Sequence, residues 1–197
     1  MSDTDSNPFD QALVYEGRVP LRWHGHDAMP SEGDVRRIEE ENEKVLRYLT
    51  LLDDSHAESV DEEHGLATSD LKRIEFKLNV LLDLVGQMLA RQSDMPPECP
   101  VRVGAQGLQW QTPNPTPPQA GAAGRVELFL TPRFPSPLIL YGKVVSAEPT
   151  AEGEHLVSFT YVGLAHSVQA LLEKLIFRQH RRTVAQSRRG GSDGPRR

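Results

Sequence analysis

The chain has 197 residues, a formal net charge of −6, 38% hydrophobic and 25% charged residues, and fifteen each of proline and glycine. That length fits one domain with an appendage, and the acidic balance excludes a general nucleic-acid binder, which would carry a basic footprint. A single cysteine, Cys99, excludes an internal disulfide framework and a multi-cysteine zinc site. No apolar run reaches the roughly 18 residues of a membrane span, and the acidic "MSDTDSNPFD" lacks a signal-peptide core. A cytoplasmic protein is expected.

Residues 1–12 are expected to be irregular. A first strand follows: Leu13, Tyr15, Val19, Leu21 and Trp23 share one parity, interrupted by Gly17 and Pro20. Ser31 with Asp34, just after Pro30, marks a helix start. The period then changes. Val35, Ile38, Asn42, Val45, Leu49 and Leu52 are spaced 3, 4, 3, 4, 3, a heptad seam with Asn42 at one a position. Leu71, Ile74, Leu78, Leu81, Val85 and Met88 repeat that spacing.

From Leu52 to Leu71 is 19 residues where an unbroken heptad needs 18, so the register slips across a segment holding Gly65. A turn there gives a helical hairpin, its second arm capped by Thr68, Ser69 or Asp70. That arm also carries Phe76, Val80, Leu82, Leu84 and Leu89 off its seam, enough apolar surface for more than one neighbour. Its expected place is central in an oligomer, the alternative being an intramolecular helical core. Leu at a with Ile at d, as at Leu71 and Ile74, favours a tetramer over a dimer.

After Pro96 and Pro97 the two-residue period returns. "CPVRVGAQGLQWQ" reads as a strand broken by "GAQG", and "TPNPTPPQAGAAG" as a surface loop. "RVELFLTP", "PLILYGKVVSAEPT" and "HLVSFTYVGL" supply further strands, about four in all after the helices. Val168, Leu171, Leu172, Leu175 and Ile176 form one face of a closing helix that packs on the sheet. The fold class expected is mainly β with α. A small antiparallel barrel (13–29 and 96–186) with a C-terminal helix is interrupted by the helical segment (30–95) and ends in a basic irregular tail (187–197).

Three stretches in this order resemble the PilZ domain, a small bacterial β-barrel that commonly receives cyclic di-GMP. "RVPLRW" resembles the family's first barrel strand and the edge of its RxxxR motif. "VRVGAQGLQW" resembles its D/N-x-S-x-x-G segment, and "VSFTYVGLAHSVQALLEKLIFRQHRR" its closing strand and helix. The resemblance implies arginines that clamp ligand phosphates bidentately. Arg18 and Arg22 have the RxxxR spacing, although "RVPL" more naturally aligns Arg18 with the second arginine, leaving Val14 where the first belongs. Arg102 stands where Asp or Asn is expected, Gly104 stands for Ser, and Gly107 remains. Losing two such hydrogen bonds costs very roughly 2–4 kcal/mol, about 30- to 1,000-fold in affinity.

The sequence thus points to a self-associating, non-enzymatic regulator. It would contact signalling, pilus or motility proteins, take no cofactor, and not bind cyclic di-GMP in the usual way. The alternative is a receptor with a rewired site built from Arg18, Arg22 and Arg102. "WHGHD" offers His24, His26 and Asp27 without a third well-spaced ligand and reads as a loop rather than a metal site. Neither a phosphate-binding loop nor a nucleophile elbow is present.

Overall fold

The computed structural model describes residues 13–25, 30–57, 66–92, 94–131 and 136–190. Six strands form a closed antiparallel barrel: β1 (Tyr15–Gly25), β2 (Glu98–Val103), β3 (Gly107–Thr112), β4 (Ala123–Leu128), β5 (Leu138–Pro149) and β6 (His155–Tyr161), in the order β1-β2-β3-β6-β5-β4. Closure leaves the sheet without an open edge strand. Three helices, α1 (Glu32–Ala57), α2 (Leu66–Gln92) and α3 (His166–Gly190), complete the chain.

The stretch read as one broken strand is two. Val101 pairs with Trp110 and Val103 with Leu108, and the Gly104 N–H donates to the Gly107 carbonyl at 2.9 Å. "GAQG" is therefore the β2–β3 hairpin loop, and five strands rather than four follow the helices. β1 serves two neighbours. Tyr15 to Pro20 pair with β2 and Leu21 to Gly25 with β4. Pro20, which has no N–H to give, sits where the partner changes, and its carbonyl accepts from Phe129 N at 3.0 Å.

Alternation sends Val19, Leu21, Val101, Val103, Leu108, Val126, Leu128, Leu140, Val157 and Phe159 inward, where all are buried. Gly142 on β5 permits a close approach: a Cβ there would lie 1.9 Å from the Thr160 carbonyl oxygen and 2.7 Å from the Phe159 ring.

α1 starts as its sequence dictates, with the Asp34 N–H donating to Ser31 Oγ at 3.3 Å. Its stripe then docks on its own chain. Val45, Leu46 and Leu49 join the barrel core together with Val168, Leu172, Leu175 and Ile176 of α3. Arg178 of α3 donates to the Thr50 carbonyl at 3.4 Å. A hydrogen bond from Ser167, with Arg47 second, holds the Glu43 carboxyl below its ordinary range.

Asn42, 2% exposed, is no register-setting residue of a coiled coil. Its amide Nδ2 donates to the Ile139 carbonyl at 2.7 Å and its Oδ1 accepts from the Ile139 N–H at 2.8 Å. β6 begins to pair with β5 only at Gly142, so Ile139 has one unladdered side. The carboxamide satisfies both of its backbone groups.

The oligomerisation role expected of Asn42, Val45 and Leu49 is thereby corrected. Asn42, Val45 and Leu49 are already covered within the chain. Val35 and Ile38 are half-buried and line an apolar cleft with Ile139, Tyr141 and Leu164. Leu52 lies in α1, its side chain outside the described residues. The adjacent pairs Val45–Leu46 and Leu49–Thr50, all four buried, broaden the seam into the wider stripe of a helix on a globular core.

α3 is longer than expected, running to Gly190 and so into the stretch read as an irregular tail. Residues 191–197 lie outside the described residues, as do 1–12. α2 likewise begins earlier, at Leu66, which places the expected caps Thr68, Ser69 and Asp70 inside the helix. Among the described residues no helix is long and apolar enough to cross a membrane.

Candidate functional site

Three surfaces hold the residues that the sequence singled out. The first is an open cleft of about 720 Å3 at one end of the barrel, lined among others by Arg18, Arg22, Trp23, Glu98, Cys99, Trp110, Glu152 and Glu154. Register builds it: β1 brings Arg18 opposite Pro100 and Arg22 opposite Glu127. The two indoles stack with ring centroids 6.1 Å apart, and Phe159 meets Trp23 edge-on at 5.6 Å. Trp110 and Phe159 belong to the buried core, and Trp23 packs against it.

The arginines at the rim are engaged. Arg22 Nη2 donates to the Asp94 carbonyl and lies 3.3 Å from its carboxylate, while Nη1 is 3.8 Å from Glu127. Glu127 also faces His24 Nε2 at 3.2 Å and Arg125 Nη2 at 2.9 Å. His24 therefore stands in a charge cluster of the sheet; His26 and Asp27 lie outside the described residues. Arg18 Nη2 donates to the Glu98 carbonyl at 3.3 Å.

Cys99, beside Arg18, is partly buried. Burial pushes its thiol up to about 11, only partly opposed by the Arg18 charge. The nucleophile is the thiolate, and a raised pKa depopulates it. Iodoacetamide at pH 8 should therefore label native Cys99 roughly 100-fold more slowly than the unfolded chain, as followed by mass spectrometry.

The second surface is the β2–β3 loop with Gly104 and Gly107. It lies at the other end of β2: Val103 faces Tyr15 at the start of β1, whereas Arg22 is seven residues further along. At about 3.3 Å per residue that separation is roughly 20 Å. Arg102, two residues before the loop, forms a ladder across four strands. Its Nε donates to Glu16 at 3.0 Å and its Nη1 to Gln109 Oε1 at 3.2 Å. Gln109 Nε2 in turn donates to Ser158 Oγ at 3.0 Å. Arg18 and Arg22 are thus brought together, but Arg102, Gly104 and Gly107 do not join them around the cleft.

The third surface is α2. Leu71, Ile74, Leu78, Leu81, Val85 and Met88 are between 52% and 65% exposed, and Phe76, Val80, Leu82, Leu84 and Leu89 are exposed as well. Among the described residues no element of the chain packs along this helix. The cleft's indoles and acids escaped sequence reasoning. Trp23 and Trp110 looked like ordinary strand residues, and Glu152 and Glu154 sat in an unremarked turn.

A family model described as "Atypical PilZ domain, cyclic di-GMP receptor" matches residues 46–189, through α2 as well as most of the barrel. None of the curated proteins matches. Among solved structures, a pathogenic protein from Xanthomonas campestris, described as a new tetrameric PilZ domain self-assembled via an unusual helical bundle, is 27% identical. Its TM-score is 0.66, and the alignment covers 90% of this chain and 93% of that one. With the closed barrel, the covering helices and a match over most of the chain, this protein belongs to the atypical PilZ domain family.

Proposed function

We propose that this chain is a cytoplasmic regulatory adaptor of cyclic di-GMP-related signalling, assembled as a tetramer through α2 and acting by contacts with signalling, pilus or motility proteins. It works without binding cyclic di-GMP in the usual way and catalyses no reaction. The observation that carries this reading is the length of α2, exposed and apolar over its whole seam. Such a surface marks an interaction site on a water-soluble protein. Burying each Leu-sized side chain contributes about 1.5–3 kcal/mol, so one seam per protomer offsets an association cost of roughly 4–15 kcal/mol. The tetrameric helical bundle of the Xanthomonas campestris protein supports the same stoichiometry.

The ligand half of the proposal rests on charge and engagement. Arg102, in the place of an Asp or Asn, is bound to Glu16 and Gln109. Gly104 has no side chain to offer. The cleft that holds Arg18 and Arg22 also holds Asp94, Glu98, Glu152 and Glu154, so a dianionic dinucleotide meets more negative than positive charge there. Titrating cyclic di-GMP into the protein by calorimetry at near-physiological salt is expected to release no binding heat at micromolar ligand. Micromolar binding abolished by Arg18→Ala or Arg22→Ala would instead establish a receptor with a rewired site.

A further inference from the structure

The barrel-end cleft has a chemistry that the adaptor reading does not by itself specify. Its carboxylates come from separate elements: Glu98 opens β2, while Glu152 and Glu154 lie in the β5–β6 turn. None of the three forms an ion pair among the described residues. Trp23, partly exposed, lines the cleft in front of Trp110, which is 3% exposed. The walls include Pro96, Pro97, Pro113 and Pro118, which have no N–H to donate. Gln111, Thr112 and Asn114 on the same wall can donate as well as accept, so what distinguishes the cleft is the charge of its carboxylates. Arg22 is held by Asp94 and Glu127, so among the described lining residues Arg18 is the cation set against three carboxylates that form no ion pair.

We propose that this cleft is the docking site for an arginine-bearing, extended peptide segment of a partner protein. A guanidinium brings five N–H donors and no acceptor. It pairs with carboxylates bidentately and packs its planar group against an indole, here the partly exposed Trp23. The open cleft of about 720 Å3 lies in the size range of sites that take a drug-sized ligand and far exceeds a metal ion or a lone ammonium group. The proposal rests on the adaptor reading and names the partner-facing surface of that adaptor. It does not involve α2, so assembly and docking are separable.

Trp23 and Trp110 are the only two tryptophans of the chain, so selectively excited tryptophan fluorescence reports the two indoles that line this cleft. The probe is an acetylated, amidated seven-residue peptide with two adjacent arginines beside a proline, titrated into the full-length protein. The control carries citrulline, neutral and nearly isosteric, in place of arginine.

A saturable emission change is expected with arginine. It should weaken at least tenfold in the double variant Glu152→Gln, Glu154→Gln and vanish with citrulline, the thermal unfolding of the variant matching the parent. No saturable change, equal binding by the citrulline peptide, or undiminished binding by the double variant would overturn the proposal. So would an emission shift on truncating the chain after Gly190, which would make the protein's own terminal arginines the occupant, or quenching by cyclic di-GMP. If docking fails while the tetrameric mass and the calorimetric silence hold, only the cleft assignment falls.

Discussion

Asn42→Leu is expected to destabilise the folded chain by about 2–4 kcal/mol, because it strands a backbone N–H and a C=O that the amide now satisfies. The side chain gives one bond to the Ile139 carbonyl and takes one from its N–H, at 2.7 and 2.8 Å, and is 2% exposed. A polar residue at an a position of a coiled coil costs stability, and leucine there would raise it. The sign of the change therefore discriminates between the two environments. Urea unfolding, with the midpoint compared at constant slope, measures it. The comparison belongs in a monomeric background, since oligomers make apparent stability depend on protein concentration. A higher midpoint for the leucine variant would detach α1 from β5.

That background is supplied by the second large expected effect. Leu78→Asp with Leu81→Asp should reduce the mass seen by light scattering to that of one chain, one quarter of the assembled value. Both residues are more than half exposed, and no other element of the chain packs along α2 among the described residues. The folded protomer therefore loses little. In a bundle, each aspartate would have to enter an apolar seam uncompensated, at several kcal/mol per charge. The barrel should survive unaltered, with tryptophan emission and the thermal transition of the protomer intact. Unchanged mass would remove α2 as the assembly surface.

The two helices share one heptad spacing in sequence but have opposite fates. Val45 and Leu49 were legible as apolar and periodic, as were Leu78 and Leu81. Periodicity states that a face must be covered and is silent about what covers it. The adjacent apolar pair Val45–Leu46 in α1 was the available clue to a wider, intramolecular stripe. The β2–β3 loop is a similar case: "GAQG" was recognised as a turn, yet whether it interrupts a strand or reverses the chain depends on the pairing of Val101 with Trp110.

The candidate site divides along the same line. Arg18 and Arg22 were found because a spacing motif is local. The engagement of Arg102 with Glu16 and Gln109, residues 86 and 7 positions away, was not, because cross-strand register is a long-range property. Alternating strands, a helix cap at Ser31, the heptad spacing of α1 and α2 and a family order of motifs were all determined by the sequence alone, since each depends on neighbours within about one or two turns. Barrel closure decided the rest. Joining strands distant in sequence gathered two tryptophans and three carboxylates into one cleft, placed Arg102 in a ladder, and set the Asn42 amide against Ile139. Such positions are fixed only when the chain has chosen which of its apolar faces to bury on itself and which to leave for another molecule.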